Sequence, residues 1–347
     1  MKNPFEQPVA QAPAENTPER KTTISRALMK NKEDEEKALE FFADLFENQE
    51  FYGFEREKTD DESEIIDAVN EKMKDFVERY GGIYTKITAD HIHIIDQKKL
   101  SKSNWSRFRD EDGSMCDGLY IMEIQGALIN LFRHDDLVKF AKVLSHELIH
   151  LQEYQTVHAQ WQDDEKSKLH YHRRRDGMRI FGMQDKEGGY GYFEMLNEAV
   201  TEELARRFAV ENFADIPALE AGMNFRDETY PGFDETERIS GTFVRELHKR
   251  GYEGMSKWGT ADVYLEERQF LNKLIDQIYE KSSEQFASRE DVFAVFAKAH
   301  FTGHLLPLAR LIEKTMGKGY LRKLAEEQKM TYPEDHFIVK QNRVKEE

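Results

Sequence analysis

Five consecutive residues, His146-Glu147-Leu148-Ile149-His150, are where residue type and spacing imply chemistry most directly. On a helix, residues four apart lie on one face one turn apart, so both imidazoles can reach a single ion. Glu147 stands beside them, placed to take a proton from a metal-activated water, which is the arrangement of a helical zinc site. Leu137, Val138, Phe140, Ala141, Val143, Leu144, Leu148, Ile149 and Leu151 supply the apolar walls of a buried helix around it. The five-residue pattern is short, and a solvated helix face with two unrelated histidines is the plain competing account. A catalytic zinc needs a third protein ligand. Downstream, Asn197-Glu198-Ala199-Val200-Thr201-Glu202 sits in a second helical segment, with Glu198 and Glu202 again one turn apart on one face.

HELIH together with NEAVTE resembles the gluzincin peptidases, the thermolysin-like clan whose second metal helix carries an NExx[ST][DE]-type motif. The resemblance implies one catalytic Zn2+ held by His146, His150 and Glu198, with Glu147 as the catalytic base. It also implies that Glu202 hydrogen-bonds His146; a carboxylate behind an imidazole fixes its tautomer and raises its basicity. Tyr190 and Tyr192 precede Glu198 near where such enzymes place an oxyanion-stabilising tyrosine, so Tyr190 is carried as a catalytic candidate against a simple packing role. The resemblance covers the two helices and, loosely, the strand before the first. The small single-domain minigluzincins are closest in layout.

Other metal readings are weaker. A metzincin would need Gly and His where Glu153 and Thr156 stand. An aspzincin would draw its third ligand from a GTxDxxYG segment; Gly259-Thr260-Ala261-Asp262 matches only the start, which leaves Asp262 as the rival to Glu198. His158 reads as a surface histidine, His91 and His93 as packing on a shared strand face, and His300 and His304 as structural. Cys116 reads as a half-buried small hydrophobe.

The elements that must position these groups follow from periodicity. Residues 32–50 form an amphipathic helix, and a second, capped by Thr59 or Asp60, carries Ile65, Ile66, Val69, Met73, Phe76 and Val77 until Gly81-Gly82. Ile83 to Asp96 alternates as one or two strands, and Gly118 to Phe132 as a hairpin broken near Gly126. After Asp135-Asp136 a single long helix runs through HELIH to Trp161. Trp161 to Gly191 is polar, basic and glycine-dotted, and is expected to be an irregular, mobile insertion over the cleft. A helix runs from Tyr192 to about Phe213, and the remainder is mostly helical. The resulting expectation is α+β and mostly helical: a disordered tail over 1–30, a zincin-like core over 31–215 with a small sheet and the insertion over 161–191, and a helical C-terminal subdomain over 216–347.

Composition narrows the function classes. The 347 residues are 39% hydrophobic and 12% aromatic, enough for a substantial core. A net charge of −17 argues against nucleic acid and anionic membrane as partners. A single cysteine, no apolar run of spanning length and no secretory leader point to the cytoplasm. Neither GxxxxGK[ST] nor GxGxxG occurs, so nucleotide chemistry lacks its usual signature. The leading expectation is a zinc-dependent peptide hydrolase acting on a peptide or protein substrate, with the strand from Leu119 to Glu123 as substrate rail. The alternative is an inactive gluzincin-like binding or regulatory module, although such a scaffold has no reason to keep Glu147. Hydrolysis of a non-peptide bond by the same centre stays open.

Overall fold

Two helices at the centre of the chain are set against a sheet on one side and further helices on the other, and the pattern of burial explains why. The computed structural model describes residues 20–48, 53–99, 117–122, 124–130, 136–162, 166, 168–184, 188–229 and 264–332. Cys116, Asp262 and the proline-rich start lie outside them.

The chain opens with β1 (Ile24–Leu28), α1 (Lys32–Glu47) and α2 (Asp60–Arg79). Helix α2 begins in a capping box, in which Thr59 and Glu62 satisfy each other's main-chain N–H groups. Its apolar stripe, Ile65, Ile66, Val69, Met73, Phe76 and Val77, is fully buried. Each such side chain contributes about 1.5–3 kcal/mol by leaving water. Then come β2 (Ile92–Ile94), β3 (Gly118–Ile121), β4 (Gly126–Ile129) and α3 (Leu137–Gln152), the last capped by the Asp136 carboxylate. Four strands follow: β5 (Gln155–Trp161), β6 (Leu169–Asp176), β7 (Arg179–Gln184) and β8 (Gly188–Tyr192). Helices α4 (Glu194–Asn212) and α5 (Glu220–Thr229) come next. The described C-terminal part is α6 (Leu265–Lys281), α7 (Arg289–Thr302), α8 (Leu305–Met316), α9 (Tyr320–Glu327) and β9 (Met330–Tyr332).

The fold is α+β with segregated elements. The described residues form two sheets, a three-stranded one in the order β2-β4-β3 and a six-stranded one in the order β1-β5-β6-β7-β8-β9. One hydrophobic core runs from Ile24 and Phe42 through α2, α3 and α4 to Leu324 of α9. No helix of the described residues is long and apolar enough to cross a membrane.

Four expectations need correction. The helix through HELIH ends at Gln152, not Trp161, because QTVHAQW has period two: Gln155, Val157 and Ala159 are buried while His158 and Gln160 are exposed. The described residues of 161–191 are not an irregular insertion: nearly all belong to the end of β5 and to β6, β7 and β8, paired antiparallel. Leu169 and Tyr171 point into the core and His170 and His172 lie on the opposite face. A two-residue turn at Gly177-Met178, with Gly177 at φ 53, joins β6 to β7. Ile24–Leu28, inside the expected tail, pairs parallel with β5 and buries Ile24 and Ala27. Finally, His91 lies on a 3-10 turn and not on a strand face with His93; it meets the Phe46 carbonyl, while His93 Nδ1 meets Glu55 at 2.8 Å.

Candidate active site

Helices α3 and α4 pack side by side and bring the motif residues to one point. His150 Nε2 lies 3.3 Å from Glu198 Oε2, and His146 Nε2 lies 3.6 Å from the same oxygen. Donor atoms of His146, His150 and Glu198 all fall within 4.8 Å of one another, the single such group among the described residues. Ligands of a tetrahedral ion held at about 2.1 Å sit about 3.4 Å apart, so this spacing suits zinc. Glu198 Oε2 is buried and makes no hydrogen bond, an unsatisfied acceptor of the kind a cation would complete. Two imidazoles and one carboxylate also form a donor set zinc takes. The residues therefore fit the ion.

The surrounding groups fix how each ligand points. Glu202 Oε2 is 3.0 Å from His146 Nδ1, so that nitrogen carries the proton and Nε2 faces the centre. Lys142, one turn earlier on α3, holds Glu202 from the other side at 3.2 Å. Burial opposes the Glu202 charge, but Lys142 and His146 outweigh it and bring its pKa down to about 2. Behind His150 stands Glu153, its Oε2 3.6 Å from Nδ1 and bonded by the Asn197 side-chain amide at 3.1 Å. His300, fully buried, approaches the same carboxylate at 3.6 Å. Burial works against charge on His146, yet Glu198 and Glu202 raise its pKa to about 9. His150 is likewise raised against burial by Glu198 and Glu153. Without metal, protonated histidines thus balance the carboxylates.

Glu147 is buried beside the ligands, and burial lifts its pKa above the ordinary carboxylate value while His146 and His150 oppose the rise. Strand β3 runs against it. A Cβ on Gly118 would lie 2.5 Å from Glu147 Oε1, so only glycine lets the strand pass this close. Glu147 also takes a main-chain hydrogen bond from Tyr120. The Tyr120 ring stacks on His150 at 4.8 Å, and the Tyr264 ring lies parallel to His146 at 5.6 Å.

These groups floor a cleft of about 690 Å³ walled by β3, α6, the end of α9 and the start of β9. Strand β3 is the outer strand of its sheet. Tyr190 is not brought to the cleft: it packs on Tyr192 at 5.1 Å, under Lys329, over the space left by Gly182. Tyr120 and Tyr264 are the phenols that line the cleft, one stacked on His150 and the other on His146. Asp262 lies outside the described residues. His158 and His172 face each other across β5 and β6 at 5.0 Å, away from the centre. Sequence reasoning missed Gly118, Glu153 and Asn197 as parts of the site, and held Tyr120 only as part of the Leu119 to Glu123 rail. Glu153 and Asn197 had a signal, one lying three residues after His150 and the other directly before Glu198.

Comparisons with protein-family models, curated proteins and solved structures each give no significant match.

Proposed function

We propose that the chain is a zinc-dependent peptide hydrolase of gluzincin type, with His146, His150 and Glu198 as the metal ligands. The observation that carries this reading is the convergence of His146, His150 and the partly buried Glu198 on one point, with a buried carboxylate outside that set, Glu147, at its side. Zinc held there supplies Lewis acidity, which polarises a carbonyl and lowers the pKa of water towards ~7.

Glu147 takes the proton of the attacking water and delivers it to the leaving amine; its burial-raised pKa suits a group that must both accept and release. The outer edge of β3 pairs with an extended peptide through main-chain hydrogen bonds, which gives affinity with little sequence choice. Tyr264 flanks the reacting carbonyl from the His146 side. The net charge of −17 and the single cysteine fit a cytoplasmic enzyme without nucleic-acid or membrane partners.

The test is Glu147→Gln, assayed for zinc content and for cleavage of a quenched fluorescent peptide library. Zinc stoichiometry stays at the wild-type level while turnover falls ~10²–10⁴-fold. Wild-type turnover in the variant removes Glu147 from the chemistry and favours a binding module.

A further inference from the structure

Arg179 is a buried cation with partners on several elements, and no part of the mechanism above uses it. It is buried, at 7% exposure, in an acidic surround. One guanidinium nitrogen, Nη1, meets Glu194 Oε1 at 2.6 Å and faces Glu198 Oε1 at 3.6 Å. The other, Nη2, donates to the Tyr120 hydroxyl at 2.9 Å and faces Glu153 at 3.7 Å and Asp176 at 3.8 Å. One side chain from β7 thus faces β3, the end of β6, the residue that closes α3, and α4, including the far oxygen of Glu198.

The two oxygens of Glu198 have different company. Oε2 faces both imidazole Nε2 atoms and has no hydrogen bond, whereas Oε1 faces Arg179. A carboxylate free to turn about its last bond offers a cation either oxygen or both. A planar guanidinium clamped at both ends removes that freedom, which a flexible ammonium cannot do. The clamp is built into the turn before it. Arg179 pairs with Asp176 directly across the Gly177-Met178 turn. A Cβ at Gly177 would come within 2.5 Å of Asn197 Oδ1 and 2.6 Å of Glu153 Oε2, so the turn is pressed onto the same network.

We propose that Arg179 is a positioning residue of the metal centre: held by Glu194 and Tyr120, its guanidinium turns the Glu198 carboxylate so that Oε2 alone faces the two histidines. The proposal rests on the zinc reading above. Arg179 also sets the distance between β3 and the ligands, since the hydroxyl it grips belongs to the ring stacked on His150.

The experiment uses the full-length protein, freed of metal and retitrated with zinc against a chromophoric chelator, then with cobalt followed by visible absorption. Wild type is measured first: failure to bind one zinc while folded overturns the metal reading and the positioning role with it. Given wild-type binding, Arg179→Gln weakens zinc ~10–100-fold, the range for a residue that orients a ligand. Its cobalt spectrum changes in band position and intensity, because Glu198 then offers both oxygens. Arg179→Lys keeps the charge among the carboxylates and loses only the fork; it falls between the two, and it carries the test if the Gln variant does not fold. A lowered melting temperature with wild-type zinc affinity and a superimposable cobalt spectrum makes Arg179 a structural ion-pair hub and sinks the proposal.

Discussion

Glu147 owes its place to an absent side chain. Gly118 lets β3 run against α3 so closely that a methyl group there would meet both Glu147 Oε1 and Val143 Cγ1, the latter at 2.6 Å. Gly118→Ala therefore pushes the carboxylate off its line to the ligands without touching a ligand. Zinc content is expected to hold, and kcat to drop by about 10²-fold, the cost of misplacing a reacting group by an ångström. Peptide cleavage measured beside metal analysis checks this, and a parallel loss of zinc argues that the strand, not the base, was displaced. At this scale much of the site is legible from sequence, because helical spacing pairs His146 with His150 and Glu198 with Glu202, and the gluzincin resemblance implies that the two pairs meet. Gly118 and Tyr120 are not, because they reach the site across a sheet edge, and no local spacing encodes that approach.

Elements were legible where one period dominates. Helix α2 shows its stripe, its Thr59 cap and its glycine stop in the sequence, and the structure has all three. The β5 to β8 stretch misleads because its arginines suggest a solvated loop, while the structure satisfies most of them internally. Arg173 meets Asp176, Arg179 meets the carboxylates, and Arg175 donates to the carbonyls of Gly177 and Gly303 and lies over the Tyr154 ring. Burial lowers the Arg175 pKa to about 10, still far above neutrality, so it remains a charged donor. Arg175→Ala removes the side-chain donor to the Gly177 carbonyl and one of two donors to the Gly303 carbonyl, which keeps the Leu305 N–H, where the hairpin meets the end of α7. We expect a loss of about 1–3 kcal/mol in stability with KM unchanged. Denaturant unfolding and steady-state kinetics together decide: a raised KM with wild-type stability would restore the idea of a substrate-engaging lid.

Across the whole molecule, histidines set how stability responds to pH, and metal changes the answer. His300 and His172 are pushed by burial to about 4, with neighbouring positive charge adding to the effect at His172. Between pH ~6.5 and about 4 the unfolded chain takes up protons these residues refuse, so stability falls as pH drops through that window. His146 has the opposite sign. With its pKa raised to about 9, its contribution is complete below pH ~6.5 and is lost as pH rises to about 9. The metal-free protein should therefore be most stable near pH 6.5, losing ground on both sides. On the proposed reading zinc would take the place of the proton on His146, and its hold would strengthen as competing protons leave. At a thousandfold excess over its dissociation constant it adds about 4 kcal/mol. Loaded protein is accordingly expected to keep the acid-side decline, lose the alkaline one, and melt highest at a pH above that of the metal-free form. Thermal unfolding from pH 4 to 9, with chelator and with zinc, reads both curves. Identical profiles in the two conditions would mean that no ion replaces the proton on His146.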